Sequence, residues 1–129
     1  MSMSVSWSAA SGKTACLIED GNVSWTSDIG PEGGGSGGFP DPHQLLDSAL
    51  GACTVLTLQL YAKRKAIPLE AVRVIISHQE EPGLYQLQRN IHLEGHLTEA
   101  QRADLLRVAN KCPIHKVLSG QIVLTTEVI

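Results

Sequence analysis

Apolar and polar positions alternate most cleanly in the middle of the chain. Residues 72–78 set Val72, Val74 and Ile76 against Arg73, Ile75 and Ser77, and Glu81-Pro82-Gly83 then turns the chain. Residues 84–97 resume the alternation, first with Leu84, Gln86 and Gln88 against Tyr85 and Leu87, then with Ile91, Leu93 and Gly95 against His92, Glu94 and His96. A period of two over such lengths predicts a hairpin of half-exposed strands. Near the start, residues 4–9, 14–18 and 23–27 read as three short strands separated by Ser11-Gly12 and Asp20-Gly21-Asn22. Glu19-Asp20-Gly21-Asn22 is a hairpin signal, because Gly and Asn accept the positive φ of tight turns. Residues 1–27 are therefore expected to form a β-meander.

Two other stretches carry helical periodicity. Asp41-Pro42-His43-Gln44 announces the first: Asp41 caps, Pro42 suits the first helical position and Gln44 completes a capping-box-like pair. Apolar residues from Leu45 to Tyr61 then cover nearly every direction around the axis, and Lys63-Arg64-Lys65 places cations at the negative end of the macrodipole. This predicts a central, largely buried helix of roughly 35 Å, long enough for a second subunit to cover part of it. Thr98-Glu99-Ala100-Gln101 is a capping box, and Ala100, Leu105, Leu106, Val108 and Ala109 give the stripe of an amphipathic helix ending near Asn110. Lys111-Cys112-Pro113 breaks it; Pro113 opens a short helix to about Leu118, Gly120 ends that helix, and residues 122–129 have the composition of a last strand.

Residues 28–40 hold six glycines, a composition expected to give a flexible loop, either a lid or dimer-contact loop or a mobile connector. The order βββ-α-ββ-α(α)-β predicts an α+β domain with a mainly antiparallel sheet wrapped around the long central helix. One domain over 1–129 is expected: the meander at 1–27, the Gly-rich loop at 28–40, and a helix and sheet body at 41–129.

Composition narrows the function. With 129 residues and an aromatic content of 4%, the core must be single and aliphatic. A net charge of −3 with mixed signs gives no basic stripe for nucleic acid. No apolar run was expected to reach the roughly 20 residues of a membrane span, and the start lacks a basic region followed by an apolar one. A cytoplasmic protein is expected, bound neither to membrane nor to nucleic acid. Cys16, Cys53 and Cys112 are an odd number at wide spacing, which suits free thiols in a reducing compartment. Gly12-Lys13-Thr14 only mimics the end of a phosphate-binding loop, since the earlier glycine would stand at Trp7.

Cys112 precedes Pro113 and so falls at a helix N-cap, where free N–H groups favour an anion, with Lys111, His115 and Lys116 adding charge. It reads either as a reactive thiolate or as a buried cysteine in a helix-helix turn. Cys53, in the middle of an apolar helix, reads by itself as structural, and Cys16 as a small core residue. His43 is either a base for Cys53 or a solvated first-turn residue, although ten positions of one helix separate the two. His115 either orients Cys112 or packs.

Leu45-Leu46-Asp47-Ser48-Ala49-Leu50-Gly51-Ala52-Cys53-Thr54, taken with Ala109-Asn110-Lys111-Cys112-Pro113-Ile114-His115, resembles the paired cysteine motifs of the OsmC/Ohr family of thiol-dependent peroxidases. The likeness continues through Tyr61-Ala62-Lys63-Arg64-Lys65, Leu69-Glu70-Ala71-Val72, Leu93-Glu94-Gly95 and Leu97-Thr98, covering roughly residue 42 to the end. It implies an intertwined homodimer with sites at the subunit interface, Cys53 as the peroxide-attacking cysteine and Cys112 as its resolving partner. Attack gives a sulfenic acid, the second thiol condenses with it, and an external dithiol or lipoyl-type reductant resets the pair, with no bound cofactor or metal. Organic hydroperoxides suit the aliphatic surroundings of Cys53, in a role in oxidative or osmotic stress.

The resemblance also implies an amino-terminal arginine beside the attacking sulfur, held by a glutamate near the start of the central helix. Here no arginine precedes Arg64, and His43 stands at the glutamate position, leaving Lys13, His43 and Arg64 as candidates for the activating role. Two other readings stand beside the peroxidase: a protein that binds a small apolar or thiol-reactive ligand in the same cleft, and a metal site from Cys53, Cys112, His115 and His43.

Overall fold

A computed structural model describes residues 2–129, which form two compact units that divide between residues 46 and 47. In the first, β1 (Ser4–Ser6), β2 (Cys16–Glu19) and β3 (Ser24–Ser27) make an antiparallel sheet in that order. The expected meander is present. Its hairpin closes where the Asp20 carboxylate accepts the N–H groups of Asn22 and Val23 at 3.0 and 3.1 Å, with Gly21 at φ 97°.

The Gly-rich segment is not an open tether. Asp28, only 6% exposed, accepts hydrogen bonds from the Thr14 hydroxyl (2.5 Å), the Ile29 N–H (2.9 Å) and the Ser36 N–H (3.0 Å). The two ends of the segment also meet, since the Asp28 N–H and the Ser27 hydroxyl both donate to the Pro40 carbonyl. One carboxylate thus offsets part of the ordering entropy that the glycines impose. The Thr14 hydroxyl and then the Ser36 N–H hold the Asp28 carboxyl below its ordinary range, against the opposing effect of burial.

α1 (Pro42–Arg64) starts as expected, with the Gln44 N–H donating to Asp41 Oδ1 at 2.8 Å and the Asp41 N–H to Gln44 Oε1 at 2.9 Å. Its burial is narrower than the sequence suggested. Within the chain only Leu50, Thr54, Leu58 and Ala62, a stripe at four-residue spacing, are buried, while Leu56 and Leu60 are 52% and 64% exposed. Apolar residues all round the axis do not bury a helix when one chain covers only one side of it. The helix is also long and apolar enough, by length and composition, to cross a membrane; this corrects the expectation that no such run exists. In this fold its buried stripe belongs to a protein core.

That core is aliphatic. Leu58 and Ala62 pack with Leu105, Val108 and Ala109 of α2 (Glu99–Ala109), and Ile67, Leu69, Val72, Ile91 and Leu93 border the cluster. Tyr61 ties the two helices together at its edge by donating to Asp104 Oδ2 at 2.6 Å. β4 (Ala71–Glu81) and β5 (Leu84–Glu94) form the expected antiparallel hairpin, turning at Gly83 with φ 79°. β5 turns Tyr85, Leu87, Arg89, Ile91 and Leu93 to its half-buried face. Gly95 ends the strand at φ 140°, where a Cβ would stand 2.2 Å from the Pro68 carbonyl oxygen, so no other residue fits.

α2 carries the expected capping box between Thr98 and Gln101, and α3 (Pro113–Ser119) follows. The last expected strand is not formed. Residues 121–129 have no ladder partner among the described residues, and Leu124 and Val128 are 86% and 99% exposed. Strand composition alone does not make a strand without an edge to pair with.

Because the folded-state carboxyl of Asp28 is depressed, its contribution is complete above the unfolded value of about 3.9 and lost as pH falls toward the folded one. Asp28→Asn should therefore lower the stability of residues 1–46 at neutral pH and flatten its decline in acid. Tryptophan fluorescence reads this unit selectively, since Trp7 and Trp25 are the only tryptophans. Equal acid profiles in the two proteins would contradict the role assigned to Asp28.

Candidate active site

Cys53 projects from the flank of α1 and is half-buried; its Sγ lies 4.0 Å from Thr57 Oγ1, one turn further on. Cys112 closes the turn between α2 and α3 and has no exposed surface. Its Sγ accepts the His115 N–H at 3.3 Å, so the sulfur caps α3 as its place before Pro113 predicted. The side chains of Cys53 and Thr54 reach the same sulfur. Two cysteines separated by most of the body of the chain are thus neighbours, and both are free thiols.

Burial works against ionisation of Cys112. The His115 N–H, the Cys53 and Thr54 side chains and the Ile114 N–H outweigh it together and bring the thiol below its ordinary value. The donor placed at the sulfur by geometry is the His115 N–H at the start of α3, an arrangement that favours negative charge there.

A cation completes the cluster, from a position that sequence reasoning missed. Arg89 Nη1 donates to Thr54 Oγ1 and to the Ala109 carbonyl, both at 3.0 Å, and Nη2 donates to Asn110 Oδ1 at 2.7 Å. Thr54 in turn donates to the Leu50 carbonyl at 2.7 Å. Arg89 therefore grips α1 beside Cys53 and the end of α2 just before Cys112. The signal was available in the strand alternation: Arg89 falls on the row of Tyr85, Leu87, Ile91 and Leu93, and an arginine on an apolar face needs a buried partner.

The cations proposed from sequence lie elsewhere. Arg64 stacks over the Tyr61 ring, 5.5 Å from its centroid, about 16 Å beyond Cys53 along the helix axis. His43 is in the first turn of α1, about 15 Å before Cys53 on the same measure. Lys13 belongs to the amino-terminal unit, where its carbonyl accepts the Trp7 indole N–H at 2.6 Å. Cys16 pairs with Ser27 in the β2–β3 ladder. His115 does reach the site, by its backbone N–H on Cys112, and it is one of the residues lining an adjoining cavity. That cavity, of about 440 Å³, is lined by Leu50, Tyr85, Leu87, Arg89, Leu106 and His115 among others. Tyr85 is held there by Asp47, which accepts its hydroxyl at 2.8 Å and also pairs with His78. Among the described residues, no three His, Cys, Asp or Glu side chains are grouped to hold a metal ion, so the Cys/His metal reading finds no support.

Residues 33–127 match the family model described as OsmC-like protein. The chain belongs to the OsmC family. No curated protein matches it. Solved structures place the OsmC fold over almost its whole length. The OsmC-like protein of Mycoplasma pneumoniae is similar at a TM-score of 0.74 and 20% identity, over 92% of this chain and 86% of that one. The organic hydroperoxide resistance protein OsmC of Legionella pneumophila is similar at 0.63 and 24%, over 92% and 88%. The organic hydroperoxide resistance protein OhrB of Bacillus subtilis is similar at 0.59 and 19%, over 92% and 90%. At these identities the likeness is one of fold, and it agrees with the α+β architecture expected from sequence.

If Cys112 is the ionised sulfur of this OsmC-family pair, the 240 nm thiolate absorbance should include a component titrating below the ordinary thiol value of about 8.5. Cys112→Ser should abolish that component and Cys16→Ser should leave it intact. The folded value being the lower one, native stability should rise with pH between it and the unfolded value. A component that survives Cys112→Ser would refute the assignment.

Proposed function

We propose that this OsmC-family protein is a thiol-dependent peroxidase that reduces organic hydroperoxides through Cys53 and Cys112. The observation that carries the reading is the meeting of the two free sulfurs beside a partly apolar cavity. The family and the hydroperoxide-resistance proteins among its structural neighbours support the same chemistry.

In this reading the Cys53 sulfur attacks an oxygen of the O–O bond, an alcohol leaves, and Cys53 becomes a sulfenic acid. Cys112 then attacks the Cys53 sulfur and expels the oxygen as water, leaving a disulfide that cannot be overoxidised. An external dithiol, of lipoyl type or similar, returns both thiols; the protein supplies the chemistry from its own side chains with no bound cofactor. Half-burial of Cys53 gives the peroxide access, while Leu50, Leu87 and Leu106 suit an apolar tail, in a cavity within the size range of small-molecule sites. The setting is the reducing cytoplasm, in oxidative or osmotic stress.

Assembly as a homodimer belongs to the same proposal. Leu56 and Leu60 give α1 an exposed apolar side that a second copy would cover. Light scattering should return twice the mass of one chain, and Leu60→Glu should shift it toward the mass of one. A monomer at micromolar concentration would remove this part of the proposal.

Cumene hydroperoxide should be consumed in the presence of a dithiol, with a Cys53–Cys112 disulfide mapped by mass spectrometry in the wild type alone. Cys53→Ser should lose turnover, and Cys112→Ser should accumulate oxidised Cys53. Protection of Cys53 by an apolar ligand without any peroxide consumption would instead indicate the binding protein.

A further inference from the structure

A second cavity adjoins the thiol pair, and its charge is opposite to that of the chain as a whole. It holds about 400 Å³ and is lined by Thr57, Leu60 and Arg64 of α1, Arg107 of α2 and Lys111 in the turn that leads to Cys112, among others. Two of these residues tie it to the sulfurs. Thr57 Oγ1 lies 4.0 Å from Cys53 Sγ, and Lys111 is the residue before Cys112. Thr57, Leu60 and Arg64 follow Cys53 at successive turns of α1, so they continue its own face of the helix for about 16 Å.

Tyr61, also in the lining, gathers the two arginines. The Arg64 guanidinium stands 5.5 Å from its ring centroid, and Arg107 Nη2 donates to its hydroxyl at 3.4 Å. No acidic residue lines the cavity, and the one carboxylate bonded to its lining is Asp104, which pairs with Arg107 and accepts the Tyr61 hydroxyl. Among the described residues no acid pairs with Arg64 or Lys111. Three cations thus face one carboxylate in a chain whose net charge is −3. Charge of one sign gathered in a cleft raises the local concentration of the opposite ion and speeds its arrival.

We infer that this pocket binds the acid group of the reductant, so that the dithiol that resets the Cys53–Cys112 disulfide is an anion. This rests on the peroxidase reading above and names the charge of the co-substrate. The two cavities divide the work: Leu50, Leu87 and Leu106 of the first suit an apolar tail, whereas a row of cations beside the more exposed sulfur suits a water-soluble acid. With its acid on this row, the dithiol has its sulfurs free to reach Cys53. One of them, as thiolate, attacks Cys53 Sγ; the S–S bond breaks and its electron pair leaves on Cys112. The second, as thiolate, attacks the mixed disulfide, closes the reductant's own disulfide and frees Cys53. The two protons of the dithiol pass through solvent to the two cysteines, and the acid group takes no part in the exchange. Leu60 also lines the pocket, so a second copy seated on that side of α1 would form a wall of it, while the cations come from this chain.

Dihydrolipoate and dihydrolipoamide are matched dithiols that differ in an acid against an amide, remote from the sulfurs. Protein oxidised with diamide needs no peroxide, and its reduction is followed by acid quench and mass spectrometry. At low ionic strength the acid should reduce the disulfide about fivefold faster than the amide. The difference should close at about 1 M salt. Lys111→Glu should bring the ratio of the two rates below one, and Arg64→Gln should lower it. Arg102→Glu makes the same charge change on α2 outside the pocket and should leave the ratio in place. Equal rates for the two dithiols, a ratio moved as far by Arg102→Glu as by Lys111→Glu, or failure of diamide to join the two cysteines would each overturn the inference. If the acid is preferred while cumene hydroperoxide is not consumed, the peroxidase reading fails and the anionic thiol site stands. If cumene hydroperoxide is consumed equally well with either dithiol, the peroxidase reading stands and this inference fails.

Discussion

A guanidinium can hold several acceptors at once in a fixed plane, and the carboxyl-terminal unit uses this at Arg89. One fork joins the Thr54 hydroxyl on α1, the Ala109 carbonyl at the end of α2 and the Asn110 side chain just after it. A lysine would supply a compact point charge without that planar geometry. The contact adds a charged donor to the Ala109 carbonyl, which also accepts the Cys112 N–H at 3.3 Å, places positive charge at the negative end of the α2 dipole, and ties the Cys112 turn to α1. Core packing of Leu58 and Ala62 on Leu105, Val108 and Ala109 brings the helices together; the arginine sets where the sulfur falls.

Local chemistry was the most legible part of the sequence. Both capping boxes, the Asp20-Gly21 turn, the β4–β5 hairpin and the N-cap role of Cys112 follow from side chains acting within a few residues of themselves, and the structure has each of them. What depends on distant partners was less readable. The meeting of Cys53 with Cys112 came from a family resemblance, since nothing in an apolar helix declares which thiol will face it. Arg89 escaped notice because the alternation of β5 was read in two pieces, on either side of it, whereas the half-buried row runs through it without a break.

The two misjudged surfaces share one cause. The apolar residues around α1 predicted burial, and the Thr- and Val-rich end of the chain predicted a strand, but both properties need something to pack or pair against. Within one chain α1 has its neighbours on one side, and residues 121–129 meet no strand edge. The Gly-rich segment shows the opposite case: its composition suggested freedom, and a single carboxylate accepting from Thr14, Ile29 and Ser36 gathers it. Composition measures what a segment tends toward, while the structure depends on whether a partner answers that tendency.

The two sulfurs differ in a way that bears on their division of labour. Full burial alone would make Cys112 the worse thiolate, because removing water penalises the charged form. Donors placed at the sulfur reverse this, and they act more strongly for being out of water, where a hydrogen bond to an ion is less screened. Cys53 has the opposite provision: access from outside and few donors of its own. In the proposed reading, a pair built of one reachable sulfur and one donor-capped sulfur would divide contact with substrate from stabilisation of negative charge. A single cysteine exposed enough to meet a peroxide would have to hold its charge against solvent and would lack a neighbour to close the disulfide. The two unequal sulfurs lie on segments that Arg89 ties together, through Thr54 next to Cys53 on one side and Ala109 and Asn110 before Cys112 on the other.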